Sequence, residues 1–305
     1  IPPASALPGV EPAGRSPESE VQRLGALMEL MRLGLLQPAG LEDALRRATE
    51  LVARTIGVAR VGVWTLTPGG EAIVCRDVFD AAAGRHHSGT VLAADTHADY
   101  FRALAAGEPI AAEDARADPR TACLAETYLR PLGIGAMLDT PIHADGAANG
   151  VLCLEHVGGP RAWTASDRAF ARAVAGLISL VYLHDARTQS EQRLRAILES
   201  EPECVLVTSP EGRLIDLNPA GLAMVEAAAP GELRDRPIAS LLHPADRDAV
   251  ADLLRRCASG ATGRLQFRLV GLRGTERWAE AHAAPLRRPD GTIEAVLSVI
   301  RDVTE

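Results

Sequence analysis

Tyr128-Leu-Arg-Pro-Leu-Gly-Ile-Gly-Ala-Met-Leu-Asp-Thr-Pro-Ile142, followed by Gly150-Val-Leu-Cys-Leu-Glu-His156, is the stretch on which the fold of the first half turns. A helical segment over residues 120–132 stops near Gly133, and the side-chain period then falls to two. Residues 136–144 and 150–156 read as strands around a turn at 145–149. Working back, the alternating run Val61, Val63, Thr65 and the segment 72–79 flank Pro68-Gly-Gly70, a second hairpin. Residues 81–95, with His86 and His87, read as a loop, and 98–106 as a helix. Farther back, Val21, Leu24, Leu27, Met28, Met31 and Leu35 mark one helix. Leu41, Leu45, Ala48, Leu51 and Val52 mark another, with a stop near Gly57. Working forward, Ser166 to Leu183 is a long amphipathic helix. This order of elements predicts an α+β domain with an antiparallel sheet.

The second half repeats the logic. A helix is expected over 190–199, then short strands at 204–208 and 214–217 split by Pro210-Glu-Gly212. Helices follow at 219–227 and 244–259, and three longer strands at 263–272, 276–287 and 292–303. The expected organisation is therefore two α+β domains, each an antiparallel sheet flanked by helices, joined by a long helix. Residues 1–18, rich in Pro, Gly, Ala and Ser, read as a disordered lead. The first domain with its N-terminal helix takes 19–185, the connecting helix 186–202, and the second domain 203–305.

Composition narrows the chemistry. The chain has 305 residues, 47% hydrophobic, enough for two cores, and only 3% are aromatic, so Leu, Val, Ile and Ala must fill them. The net charge of −8 repels phosphate backbones, so nucleic acid is not an expected partner. There is no lysine at all. That removes the P-loop, the protein-kinase strand lysine and Schiff-base cofactor chemistry. Five scattered cysteines, Cys75, Cys123, Cys153, Cys204 and Cys257, form no CxxC pair, which fits a reducing cytoplasm better than a disulfide framework. The longest charge-free apolar stretch, residues 173–183, is too short to span a bilayer, so no membrane segment is expected. The sequence opens on Ile1, not Met, which leaves a segment upstream open.

The opening stretch, together with Arg161-Ala-Trp163 and the helix start Ser166-Asp167, resembles the GAF family over about residues 38–185. The second half resembles a PAS domain. Glu211-Gly-Arg-Leu-Ile-Asp-Leu-Asn218 matches its first hairpin, with Asn218 capping the next helix. His243-Pro-Ala-Asp-Arg247 matches its helix start, and Pro289-Asp-Gly291 with Val299-Ile-Arg-Asp-Val-Thr-Glu305 its last hairpin and ending. The resemblance implies a tandem sensory module of bacterial signal-transduction proteins, with no catalytic machinery in this fragment. It also implies an effector beyond Glu305, a sensor histidine kinase or a diguanylate cyclase.

Both families are cups, one sheet face roofed by short helices. The residues expected to line them are Trp64, Cys75, Tyr100, Tyr128, Met137, Asp139, Cys153 and Glu155 in the first domain. Trp278 and His282, four apart on one strand and so on one face, are the candidates in the second, the alternative being a packed or exposed pair. No cofactor is identified, and none is expected to be covalently bound. Phytochrome-like GAF domains place a Cys-His pair four residues before a Tyr-Leu/Met pair; here Cys123 lies five before Tyr128 and Leu124 follows it. The lysine-containing set of cyclic-nucleotide GAF domains cannot be assembled. The helix after Arg247 carries no His for haem, and no flavin-photosensor motif occurs. His86, His87 and His97 complete no metal-ligand spacing, so an exposed polar loop is the reading there. His184-Asp-Ala-Arg-Thr188 resembles a kinase phosphoacceptor box, but no ATP-binding motifs follow. Two alternatives stay open: a chromophore- or haem-binding sensor, and a GAF-type methionine sulfoxide reductase using Cys75, Cys123 and Cys153.

Phe170, Val174, Leu177 and Val181, spaced 4, 3 and 4, form an a/d seam that breaks at His184 and resumes out of phase at Leu194, Ile197 and Leu198. A homodimer through this helix is expected, with the helix at 20–37 adding to it. The alternative is that the seam only covers the back of the first sheet.

Overall fold

The structure, a computed structural model, describes residues 17–36, 40–144 and 147–304. It divides into two compact units between Thr188 and Gln189. The expected disordered lead lies outside the described residues, apart from residues 17 and 18, which open helix α1 (Pro17–Leu36). Helix α2 (Leu41–Ile56) buries Leu45, Ala48, Val52 and Ile56 at helical spacing. It stops where Gly57 takes φ +65°, the left-handed conformation that closes a helix end.

Nine strands-and-helices of the first unit then follow in order: β1 (Arg60–Leu66), β2 (Ala72–Asp80), β3 (Arg85–His87), β4 (Val91–Ala93), α3 (Ala98–Ala105), β5 (Ile110–Ala112), β6 (Ile134–Ala144), β7 (Ala147–Val157) and α4 (Ala165–Ser200). The sheet order is β3-β2-β1-β7-β6-β5, with β4 also pairing β2, and every pairing is antiparallel. Because successive side chains alternate, β1 sends Val61 and Val63 to one face and Arg60, Gly62 and Trp64 to the other. The first face packs, with Leu138, Ile142, Leu152 and Leu154, against α1, α2 and α4. The second forms a separate core under α3.

Four sequence readings need correction here. The loop expected at 81–95 contains β3 and β4, short strands that extend β2's far edge. Strand β5 was not anticipated; it is three residues long, too short to show a period. The helix expected over 120–132 is a 3₁₀ turn at Ala122–Leu124 running into a π turn at Ala125–Leu129. Of the turn expected at 145–149, residues 145 and 146 lie outside the described residues, and Ala147–Asn149 are already strand.

The helices expected at 166–183 and 190–199 are one unbroken helix, α4. Thr164 and Asp167 start it reciprocally: the Asp167 carboxylate accepts from the Thr164 N–H and the Thr164 hydroxyl from the Asp167 N–H. Arg23 of α1 pairs with Asp167 at 2.6 Å. Just upstream, Arg161 stacks over Trp163 at 4.8 Å and donates to the carbonyls of Ile56 and Gly57, the end of α2. The seam is largely taken up within the domain: Phe170 and Val174 are buried in the core with Leu177 packed against it, and Val174, Leu177 and Val181 line one small gap with Leu30 and Leu45. Among the described residues α4 alone has the length and composition of a membrane span. Its buried residues, Phe170, Ala171, Val174, Ala175 and Ile178, face protein.

The second unit comprises the end of α4, then β8 (Cys204–Thr208), β9 (Leu214–Leu217), α5 (Pro219–Met224), α6 (Arg247–Ala258), β10 (Gly263–Val270), β11 (Glu276–Arg287) and β12 (Ile293–Asp302). The antiparallel order is β10-β11-β12-β8-β9. One face carries Leu206, Phe267, Leu269, Ala281, Val296 and Ile300 beneath Val250, Leu253 and Leu254 of α6.

Gly150 of β7 is a close-approach position: a Cβ there would sit 2.2 Å from the Trp64 carbonyl oxygen. Gly150→Ala is expected to destabilise the first unit by about 3 kcal/mol, since backbone must move to make room. Gly159→Ala, whose Cβ would meet nothing within 4 Å, is expected to stay within about 0.5 kcal/mol of wild type. Urea unfolding followed by tryptophan fluorescence measures both.

Candidate functional site

The first unit's cup is floored by polar side chains that register brings together. On β1–β7 Arg60 lies opposite Glu155 and Gly62 opposite Cys153; on β6–β7 Met137 lies opposite Glu155 and Asp139 opposite Cys153. All of these face α3. Arg60 Nε donates to Glu155 Oε2 at 2.8 Å and its Nη1 to Asp80 at 3.1 Å. Tyr128 donates its hydroxyl to Glu155 Oε1 at 2.7 Å, and its ring meets Trp64 edge-on at 5.9 Å. Tyr100, from α3, donates to Asp139 Oδ2 at 2.7 Å and lies 3.9 Å from the Cys153 sulfur.

Burial dominates the electrostatics. Asp139 is completely buried, and loss of hydration lifts its carboxyl to about 7; the Tyr100 hydrogen bond works the other way. The same desolvation pushes the Cys75 thiol up to about 12 and Cys153 well above its ordinary range, with Asp139 adding to the latter. Neither thiol is disposed to ionise, and the thiolate is the reactive form. Two buried polar atoms in the cup have no partner: Trp64 Nε1 and Asp139 Oδ1. Such atoms are costly unless something, a water or a ligand, meets them. Gly62 makes room for the indole, since a Cβ there would lie 2.9 Å from Trp64 Nε1.

In the second unit the cup is apolar. Leu206, Phe267, Leu269 and Ile300 with Leu253 and Leu254 enclose a chamber of about 20 Å³, whose only polar side chains are Thr208 and Ser298. Beside it Asn218 ties three elements together through five hydrogen bonds. Its carbonyl accepts from the Val205 and Gly221 N–H groups, at the starts of β8 and α5. Its amide donates to the carbonyls of Leu198, Glu201 and Glu203, at and beyond the last turn of α4.

The GAF domain family model matches residues 40–182, and the PAS fold family model residues 198–305. The chain is a GAF domain followed by a PAS domain. Both families are sensory modules. No curated protein matches it in sequence. Similar solved structures include the PAS domain of an HTR-like protein from Haloarcula marismortui, at 17% identity over 40% of this chain and 98% of that one, TM-score 0.36. The GAF domain of an Acinetobacter phosphoenolpyruvate-protein phosphotransferase is 16% identical over 54% and 95%, TM-score 0.45. The free methionine-R-sulfoxide reductase of Neisseria meningitidis, in complex with its substrate, is 13% identical over 57% and 96%, TM-score 0.45.

The GAF cup therefore brings together Trp64, Cys75, Tyr100, Tyr128, Met137, Asp139, Cys153 and Glu155. Trp278 and His282 share a face as their spacing requires, but it is the exposed one: Trp278 is 49% accessible, and Ala279, Ala281 and Ala283 turn inward instead. The strand thus adopts the exposed alternative, and alanines at alternate positions give only a weak apolar signal of which face turns inward. Trp278 instead stacks under Arg268, and its backbone N–H donates to the Thr304 hydroxyl. Of the two histidines expected in an exposed polar loop, His87 is exposed, but both lie on strand β3 and His86 is drawn inward. His86 is half-buried, 3.0 Å from Asp77, which accepts from Thr49 at 2.5 Å. His97 is buried against the Cys123 carbonyl. Among the described residues no three His, Cys, Asp or Glu side chains converge as metal ligands. The reading missed Arg60, Thr208 and Ser298; Arg60's place opposite Glu155 depends on a pairing between distant strands.

Asp139 gives the GAF domain a pH dependence of definite sign. Unfolded, its carboxyl titrates near 3.8; folded, near 7. Between those values the folded state keeps a proton the unfolded state has released, so stability falls as pH rises from about 4 to 7 and levels off above. Asp139→Asn is expected to flatten this profile and to exceed wild type at pH 8 by at most about 4 kcal/mol, at about 1.4 kcal/mol per pH unit separating the two equilibria. Urea midpoints measured across pH 4–8 test this.

Proposed function

We propose that this tandem is a non-catalytic sensory and dimerisation module. A small molecule biases one of its cups, and the change passes along α4 to an effector of histidine-kinase or diguanylate-cyclase type in the cytoplasm. The observation that carries this reading is the Asn218 latch. It couples the wall of the PAS cup, through Val205 on β8, to the last turn of the helix that leaves the GAF domain. A change in the cup that shifts β8 must shift the helix end, or break buried hydrogen bonds.

The dimer surface in this reading is α1. Ala26 and Leu30 pack inward, while Val21, Leu24, Met28 and Met31 remain exposed at spacings of 3, 4 and 3. That is a second a/d stripe, which a like helix fits. With Cys75 and Cys153 buried and their thiols pushed up, these two lend no support to thiol catalysis.

Two measurements test the proposal. Light scattering on the chain at tens of micromolar is expected to give a dimer, and the pair Leu24→Glu and Met28→Glu a monomer; a monomeric wild type would overturn the dimer. Asn218→Ala is expected to cost the PAS domain about 3 kcal/mol, because it strands buried partners on both sides. Hydrogen exchange is expected to rise in residues 194–205 and to stay unchanged in β6 and β7.

A further inference from the structure

The PAS chamber differs chemically from the GAF cup, and the difference specifies a guest. Of the side chains around it, none carries a charge, an amide or an imidazole. A charged guest would lose its hydration with nothing to replace it, a cost that ordinarily excludes buried unpaired ions. Two hydroxyls interrupt the apolar wall. Thr208, on β8, lies opposite Val296, and Ser298, on β12, opposite Leu206; two register positions apart on paired strands, they face the same side. Thr208 is 1% exposed, and its Oγ1 has no hydrogen-bond partner. A buried hydroxyl without a partner weakens a fold, so its placement on the wall of a cavity points to an oxygen or nitrogen atom that meets it there. The free space of about 20 Å³ holds one water-sized group; anything longer requires Leu253 and Leu254 of α6 to turn aside.

We infer that the PAS chamber takes a small uncharged molecule with an apolar body and a single hydrogen-bonding group, which Thr208 anchors. This rests on the reading of the PAS cup as a ligand site and adds to it the class of ligand. Thr208 sits on the strand that Asn218 holds at Val205, so occupation is felt where the α4 latch is fixed.

The test is methyl NMR of the full chain titrated with butan-1-ol and, separately, with butanoate, its charged counterpart of similar size. Butan-1-ol is expected to move the Leu253, Leu254, Leu269 and Ile300 methyl resonances saturably, and butanoate to leave them in place. Thr208→Val is expected to weaken butan-1-ol about fivefold, the worth of one hydrogen bond, while Thr208→Ser retains it. Without alcohol, Thr208→Val is expected to raise the urea midpoint of the PAS domain, since it removes an unmet hydroxyl. Butanoate binding at the same methyls as tightly as the alcohol would overturn the ligand class and leave the sensory reading intact. Equal alcohol affinity in Thr208→Val would remove Thr208 as the anchor. Silence from both probes would remove the PAS cup as a ligand site, and the inference with it.

Discussion

A single buried amide, that of Asn218, holds the second half of this molecule in register. An asparagine side chain offers one acceptor with two lone pairs and one donor group with two hydrogens; here both lone pairs are in use and the two hydrogens are shared among three carbonyls. The partners belong to the end of α4, the start of β8 and the start of α5. No apolar residue could satisfy the same groups, and aspartate could accept but not donate. The constraint is geometric as well as energetic, because five bonds to one planar group leave little freedom to the segments around it. An element so held moves as a unit or not at all, which is what a relay between a cup and a helix requires.

The two cups solve the problem of a buried interior in opposite ways. The GAF cup buries Asp139, Glu155, Arg60, Tyr100 and Tyr128 and satisfies most of their polar atoms with one another. Such networks are costly in desolvation and seldom add stability, so their presence is easier to understand as specificity than as strength. The PAS cup instead buries leucine, isoleucine and phenylalanine with two hydroxyls.

Much of the fold could be read from the residues because its signals are local. The period-two strands, the Pro-Gly turns and the stop at Gly57 each depend on a few adjacent side chains. So does the Asn218 cap, a consequence of an Asn-Pro pair opening a helix. The misreadings share a different cause. Strands β3, β4 and β5 are three residues each and exist because a long neighbour offers them hydrogen bonds. The face of Trp278 and His282 is open in the sequence because the core residues beside them, Ala279, Ala281 and Ala283, are alanines. The pairing of Arg60 with Glu155, 95 positions apart, and the orphaned state of Thr208 are properties of the assembled sheet. The GAF cup residues were legible as a set because strand alternation puts Met137, Asp139, Cys153 and Glu155 on one face whatever the partner strand.

Helix α4 carries the remaining tension. Its first part is buried from Phe170 to Ile178, but Leu180, Leu183, Leu194, Ile197 and Leu198 are exposed. Most helical stability in a protein comes from packing rather than propensity, and a surface pair such as Arg195 with Glu199 adds only a few tenths of a kcal/mol. Propensity alone therefore does not account for a helix that continues unbroken to Ser200. The Asn218 latch supplies one restraint at its far end and the GAF core another at its near end. Between them the apolar side chains still face water, at a cost that burial against a second helix would reverse.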